Sequence, residues 1–104
     1  MAENGQPERR QHKRIPFVKE VQVVGVGTRR CSDLSVGGMY LETVHAFPIG
    51  SLVDLQFKLH DEDQSPIKVQ ARVFYVHNGV GVGLGFVNLN PADLDKIKKF
   101  IGQE

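Results

Sequence analysis

The chain of 104 residues has a single cysteine, Cys31, so it can form no internal disulfide, and no second thiol is spaced for zinc or redox chemistry. A reducing, cytoplasmic setting fits, with Cys31 as a small packing residue of a strand. Long apolar runs are also missing. No segment approaches the ~20 apolar residues of a membrane span, and the polar N-terminus carries no signal-peptide core, so a soluble protein is expected. Charge is nearly balanced, with 13 Lys and Arg against 12 Asp and Glu and a formal net charge of +1. That excludes a global attraction to nucleic acid, and any electrostatic function must come from local clustering. His12, His45, His60 and His77 are scattered without paired metal-ligand spacing. Asp61, Glu62 and Asp63 are consecutive rather than alternating as in a calcium loop. There is no catalytic constellation, no expected metal site, no internal repeat and no low-complexity tract.

What is present is a strand-rich chain of one domain's length, able to bury about 60 to 70% of its unfolded surface. Residues 1–8 hold almost no apolar content and cannot offset the entropy of ordering, so they are expected to be a disordered tail ahead of a domain over 9–104. From Phe17 to Val26 the valines favour a strand, although their alternation is imperfect. Two short strands, Thr28 to Leu34 and Met39 to Thr43, flank a turn at Ser35 to Gly38. The cleanest pattern follows: Val53, Leu55, Phe57 and Leu59 on one face, with Asp54, Gln56, Lys58 and His60 on the other. An acidic loop from Asp61 to Pro66 reads as solvated. Then Ile67, Val69, Ala71, Val73 and Tyr75 alternate with mostly polar residues. Asn78-Gly79 is a strong hairpin signal, and a type I′ turn there needs positive φ at both positions. It leads into Val80 to Phe86.

The period then changes. Asn90 suits a helix N-cap and Pro91 the first helical position, while Leu94, Ile97, Phe100 and Ile101 share a face at helical spacing and Gly102 is placed to stop the helix. A helix over 91–101 is expected. Six strands and one closing helix imply an all-β fold, a six-stranded antiparallel β-barrel with a C-terminal helix, because closure removes the exposed edges.

Charge is concentrated at one place. Arg9, Arg10, Lys13 and Arg14 fall within six residues, with Glu8 as the only acid beside them. A guanidinium is a flat, permanently charged fork that pairs with a phosphate through two bonds, or with O6 and N7 of guanine. By itself such a run reads most simply as a solvated basic tail. The second motif is Asp33-Leu-Ser35-Val-Gly37-Gly38. Its residue types also suit an ordinary tight turn. Yet an ionised carboxylate is a matched acceptor for the N1–H and N2–H donors of guanine, an edge that adenine lacks. In the late strand Gly81, Gly83 and Gly85 share a face, which barrel bends and bulges explain best.

The ordered pair of motifs, with the Gly-Val-Gly-Leu-Gly-Phe strand and the closing helix, resembles the PilZ domain, the bacterial receptor module for cyclic di-GMP, from about Arg9 to the C-terminus. The resemblance implies that Arg10 and Arg14 are the family's Arg-x-x-x-Arg pair, contacting guanine and phosphate. Arg9 fills the preceding position, associated in the family with an intercalated ligand dimer. It assigns Asp33 and Ser35 to guanine and neighbouring polar contacts, with Gly38 allowing close approach of the ligand. Gly37 is read as serving the turn.

The implied function is that of a single-domain cyclic di-GMP receptor, not an enzyme, needing no cofactor beyond that ligand. It would order its N-terminal arginine arm on binding and signal through a downstream protein partner. A monomer is expected when free, with a ligand-linked dimer left open. The alternative is a PilZ-type protein–protein adapter that binds no nucleotide. A barrel binding RNA or single-stranded DNA would need an aromatic platform. Tyr40, Phe74 and Tyr75 are the candidates, and strand packing explains them more simply, so no nucleic-acid partner is expected.

Overall fold

A computed structural model describes residues 13–102. The expected tail over residues 1–8, and with it Arg9, Arg10 and His12, lies outside the described residues. The chain forms β1 (Ile15–Val23), β2 (Gly27–Ser35), β3 (Gly38–Glu42), β4 (Leu52–Phe57), β5 (Ile67–His77) and β6 (Gly81–Val87), followed by α1 (Pro91–Ile101). The strands close into an antiparallel barrel in the order β1-β2-β3-β6-β5-β4. This is the architecture expected from the six strand patterns and the single change of period, and each strand finds a partner on both sides.

The seam of the barrel is between β1 and β4, where only Gln22 with Gln56 and Val23 with Leu55 are in register. Beyond that point side chains hold the two elements together. The rings of Phe17 and Phe57 meet edge to face at 6.4 Å, and Lys19 Nζ pairs with Asp61 Oδ1 at 2.7 Å. The loop read as solvated therefore has one anchored carboxylate. The hydrogen bond from Lys19, with its charge, holds Asp61 below the usual carboxylate range.

Inward residues follow the two-residue period wherever the ladder is regular. Leu55, Phe57 and Leu59 are buried, as are Ile67, Val69, Ala71 and Val73 and, on β6, Val82 and Leu84. Each such aliphatic or aromatic side chain contributes about 1.5–3 kcal/mol on burial. The period fails at three places, and each is a register shift: Pro16 to Lys19 on β1, Cys31 to Asp33 on β2, and Val73 to Tyr75 on β5. A bulge inserts one residue against the partner strand and reverses the facing of everything after it. This accounts for the imperfect alternation of β1, where Phe17 is buried while Val18 is exposed. It also corrects the expectation for Tyr75, which continues the inward series in the sequence but lies outside the barrel because Phe74 is the extra residue.

The turn at Asn78-Gly79 is a correction as well. Val80 N–H donates to His77 O at 2.9 Å, but only Gly79 has positive φ, at 77°, so the turn is not type I′. With Val80 included in the connection, strand pairing begins at His77 with Gly81, and the longer loop removes the need for a second left-handed residue.

The helix is bounded as its sequence requires. Asn90 Oδ1 accepts from Asp93 N–H at 2.9 Å, Pro91 opens the first turn, and Gly102 ends the helix at φ 80°. Ile97 and Ile101 enter the core, and Phe100 meets Phe17 edge to face at 5.5 Å.

Candidate functional site

The two bulges nearest the N-terminus set the site. On β2 a plain alternation from Cys31 would turn Asp33 inward. The extra residue at this point leaves Cys31 and Leu34 both buried and brings Asp33 to the surface, its side chain 31% exposed. Asp33 then lies between Pro16 of β1 and Tyr40 of β3. The thiol of Cys31 spans the bulge and donates to Asp33 O at 3.0 Å. Cys31 is thus core and fastener together. Burial pushes its thiol up to about 12, partly countered by that backbone bond. A raised folded-state value means that the neutral thiol is favoured in the fold, so its stabilising effect is complete below pH 9 and is lost as pH rises from about 9 towards 12. Denaturation at stepped alkaline pH is expected to show this decline, and Cys31→Ala to make it shallower; equal slopes would contradict it.

Arg14, two residues before Pro16, places its Nη1 on Asp33 Oδ1. The sequence supplied these residues as two motifs nineteen positions apart. The fold makes them one ion pair. Just before it, Lys13 Nζ lies 3.7 Å from where a Cβ on Gly102 would stand, at the C-terminal end of α1, where a cation meets the negative end of the helix dipole. The base of the arm is therefore placed at two points, with its guanidinium on the surface carboxylate. Both partners of the pair are partly exposed, so it adds about 0–1 kcal/mol to stability.

Ser35 and Gly38 build the turn beside Asp33. Ser35 is 2% exposed, and its Oγ accepts from Gly37 N–H at 3.1 Å and donates to Gly38 O at 3.4 Å. Gly37 O in turn accepts from Phe86 N–H at 2.8 Å, tying the turn to β6. Neither Gly37 nor Gly38 has positive φ. Gly38 is needed for a different reason: a Cβ there would overlap the Leu84 carbonyl oxygen and stand 2.9 Å from its carbon. Asp33 and Arg14 thus present functional groups at the surface, and Ser35 and Gly38 shape the backbone that carries them.

The three glycines of β6 have the structural role expected of them, by a mechanism the sequence did not disclose. A Cβ would come within 2.6 Å of the Tyr40 ring at Gly81, 2.8 Å of the Tyr75 hydroxyl at Gly83, and 2.8 Å of the Phe74 ring at Gly85. The rings lie flat across the outside of the sheet where β6 has no side chains. Tyr40, Phe74 and Tyr75 are therefore surface residues and not core packing. Tyr40 Oη is 2.9 Å from His77 Nδ1. Burial raises the Tyr40 phenol, helped by Tyr75, Glu42 and Asp33, which keeps the hydroxyl protonated.

The largest concavity, about 890 Å³, runs along Val18, Glu20, Gln22, Thr28 and Arg30 and includes neither Arg14 nor Asp33. We place the site by its chemistry, since that trough has no convergent acceptor and donor set. Among the described residues no three His, Cys, Asp or Glu side chains could hold a metal ion, and no helix is long and apolar enough to cross a membrane.

A family model described as the PilZ domain matches residues 8–103. Among solved structures, the chain is similar to the Bacillus subtilis inhibitor of motility MotI/DgrA, with a TM-score of 0.81 and 20% identity over 91% of this chain and 50% of that one. It is also similar to the PilZ domain of CeSA from a cellulose-synthesizing bacterium, with a TM-score of 0.63 and 22% identity over 86% of this chain and 95% of that one. Escherichia coli YcgR, solved in complex with c-di-GMP, gives a TM-score of 0.68 and 16% identity over 90% of this chain and 45% of that one. This chain thus spans about half the length of the Bacillus and Escherichia proteins. No curated protein matches it significantly.

Proposed function

Since the chain belongs to the PilZ domain family, we propose that it is a receptor for cyclic di-GMP that acts without catalysis, in the cytoplasm, by presenting a ligand-dependent surface to a protein partner. The observation that carries this reading is the Arg14 guanidinium seated on the Asp33 carboxylate at the foot of a run that also contains Arg9, Arg10 and Lys13. Each half of that ion pair is complementary to a different part of the ligand. The carboxylate accepts from N1–H and N2–H of guanine, and the guanidinium pairs with a phosphodiester or with O6 and N7. Binding exchanges one exposed protein–protein pair for two protein–ligand contacts. Arg9 and Arg10 supply further charge for two phosphodiesters, and Ser35 and Gly38 belong to the site through the turn they shape.

The arm over Arg9 to Arg14 closes on the barrel as its arginines acquire a shared counter-ion, an order-from-disorder step that a partner reads. Titration calorimetry with cyclic di-GMP, cyclic di-AMP and GTP tests the receptor. Binding is expected for cyclic di-GMP, weakened about 5- to 150-fold in Arg14→Ala, the range of one lost bidentate guanine contact at about 1–3 kcal/mol. Equal affinity for cyclic di-AMP would contradict the guanine reading, and no heat with any nucleotide would favour a nucleotide-independent adapter. Amide exchange across Gln6 to Pro16 tests the arm: slowing by ligand is expected, and unchanged exchange at saturation would remove that step.

A further inference from the structure

Eight large apolar side chains are exposed among the described residues, and six of them are brought together along β5 and its neighbours: Val44, Ile49, Leu52, Phe74, Tyr75 and Val80, each 46–82% exposed. Backbone pairing sets their adjacency. Leu52 is in register with Arg72, and Gly50 N–H donates to Val73 O at 2.8 Å, which lays the segment after Ile49 beside Phe74. At the other end Thr43 N–H donates to Val80 O at 3.0 Å, which brings Val44 to the β5–β6 turn. Soluble monomers rarely expose contiguous apolar patches beyond a few hundred Å². Side chains of this size and exposure reach that limit.

We propose that this face is the interface of a homodimer, formed without nucleotide, and that its occupant is a second copy of the chain. Three features favour a copy over a peptide segment. The face is flat, because Tyr40, Tyr75 and Phe74 lie over glycines, and it offers no groove for a helix. The barrel is closed, so an added strand finds no free edge on β5 or β6. The face also carries opposite charges on opposite borders: Arg72 on β5, level with Gly85, and Glu42 on β3, level with Gly81. A two-fold axis crossing the face between them sets each Arg72 against Glu42 of the other copy, as an isologous contact requires. Glu42 is only loosely held within the chain, 3.8 Å from Arg30 Nε. With a net charge of +1, two copies approach without long-range repulsion.

Sedimentation of the full chain in the absence of nucleotide, from micromolar to millimolar concentration, tests the proposal. A monomer–dimer equilibrium is expected. Val80→Glu, on an exposed turn position, should weaken it about tenfold or more with an unchanged thermal melt. Arg72→Glu should weaken it too, and Arg72→Glu combined with Glu42→Arg should restore it. A monomer at every concentration would overturn the proposal and leave the face to a different protein. A dimer indifferent to both Val80→Glu and Arg72→Glu would overturn it by moving the interface elsewhere. None of these readings depends on nucleotide, so they stand apart from the receptor assignment.

Discussion

Alanine in place of Gly38 is expected to destabilise the barrel by about 3 kcal/mol or more, at the upper end of what overpacking a well-filled site costs. The added carbon would occupy the space of the Leu84 carbonyl oxygen and stand 3.1 Å from Gly85 Cα. Both obstacles are backbone of a hydrogen-bonded neighbour, since Gly38 is in register with Gly85 and Met39 with Leu84. Relief requires β3 and β6 to part, and the turn that positions Asp33 moves with them. Gly85→Ala provides the comparison. There the obstacle is the Phe74 ring, 63% exposed and free to swing outward, so a smaller loss is expected. Chemical denaturation measures both. A loss below about 1 kcal/mol at Gly38, or a larger one at Gly85, would show that the strand separation rather than the ring is the yielding part.

Asp33→Ala is expected to leave the fold nearly as stable as before and to weaken cyclic di-GMP binding by about 100-fold or more. The two halves of that statement have different causes. In the free protein Asp33 takes part in an ion pair whose partners are 46% and 31% exposed, and water replaces such a pair at a cost of about 0–1 kcal/mol. In the complex the same carboxylate accepts two N–H groups of guanine, each bond to a charged group worth about 1.5–3 kcal/mol. Asp33→Asn should bind poorly as well, because one acceptor oxygen has become an amide donor facing the guanine N–H groups. Thermal melts beside calorimetric titrations separate the two effects. Tight binding by Asp33→Ala with an intact fold would remove Asp33 from the recognition role.

Much of this architecture was legible in the chain because the relevant rules are local. The alternation through Leu55, Phe57 and Leu59 and the caps at Asn90 and Gly102 involve neighbours in sequence, and the structure has them where the pattern put them. The bulges were not legible. A bulge is one extra residue relative to a partner strand, and that partner is set by pairing far along the chain, such as β5 with β6 at Val73 to Tyr75. Tyr75 was misplaced for this reason. For the same reason the surface position of Asp33 follows from a register shift that the Thr28 to Leu34 pattern does not contain. Gly38 illustrates a further limit: its residue type was read correctly as special, but its cause is the approach of Leu84, forty-six positions later. The aromatic rings over Gly81, Gly83 and Gly85 had a visible signal in the three alternating glycines, which leave room for side chains from neighbouring strands.

A crystal structure of the chain with cyclic di-GMP tests the central claim most directly. The account predicts a guanine edge on the Asp33 carboxylate, with Arg14 released from Asp33 and turned to the ligand. Ligand bound elsewhere on the barrel, with the Arg14–Asp33 pair still closed, would contradict it.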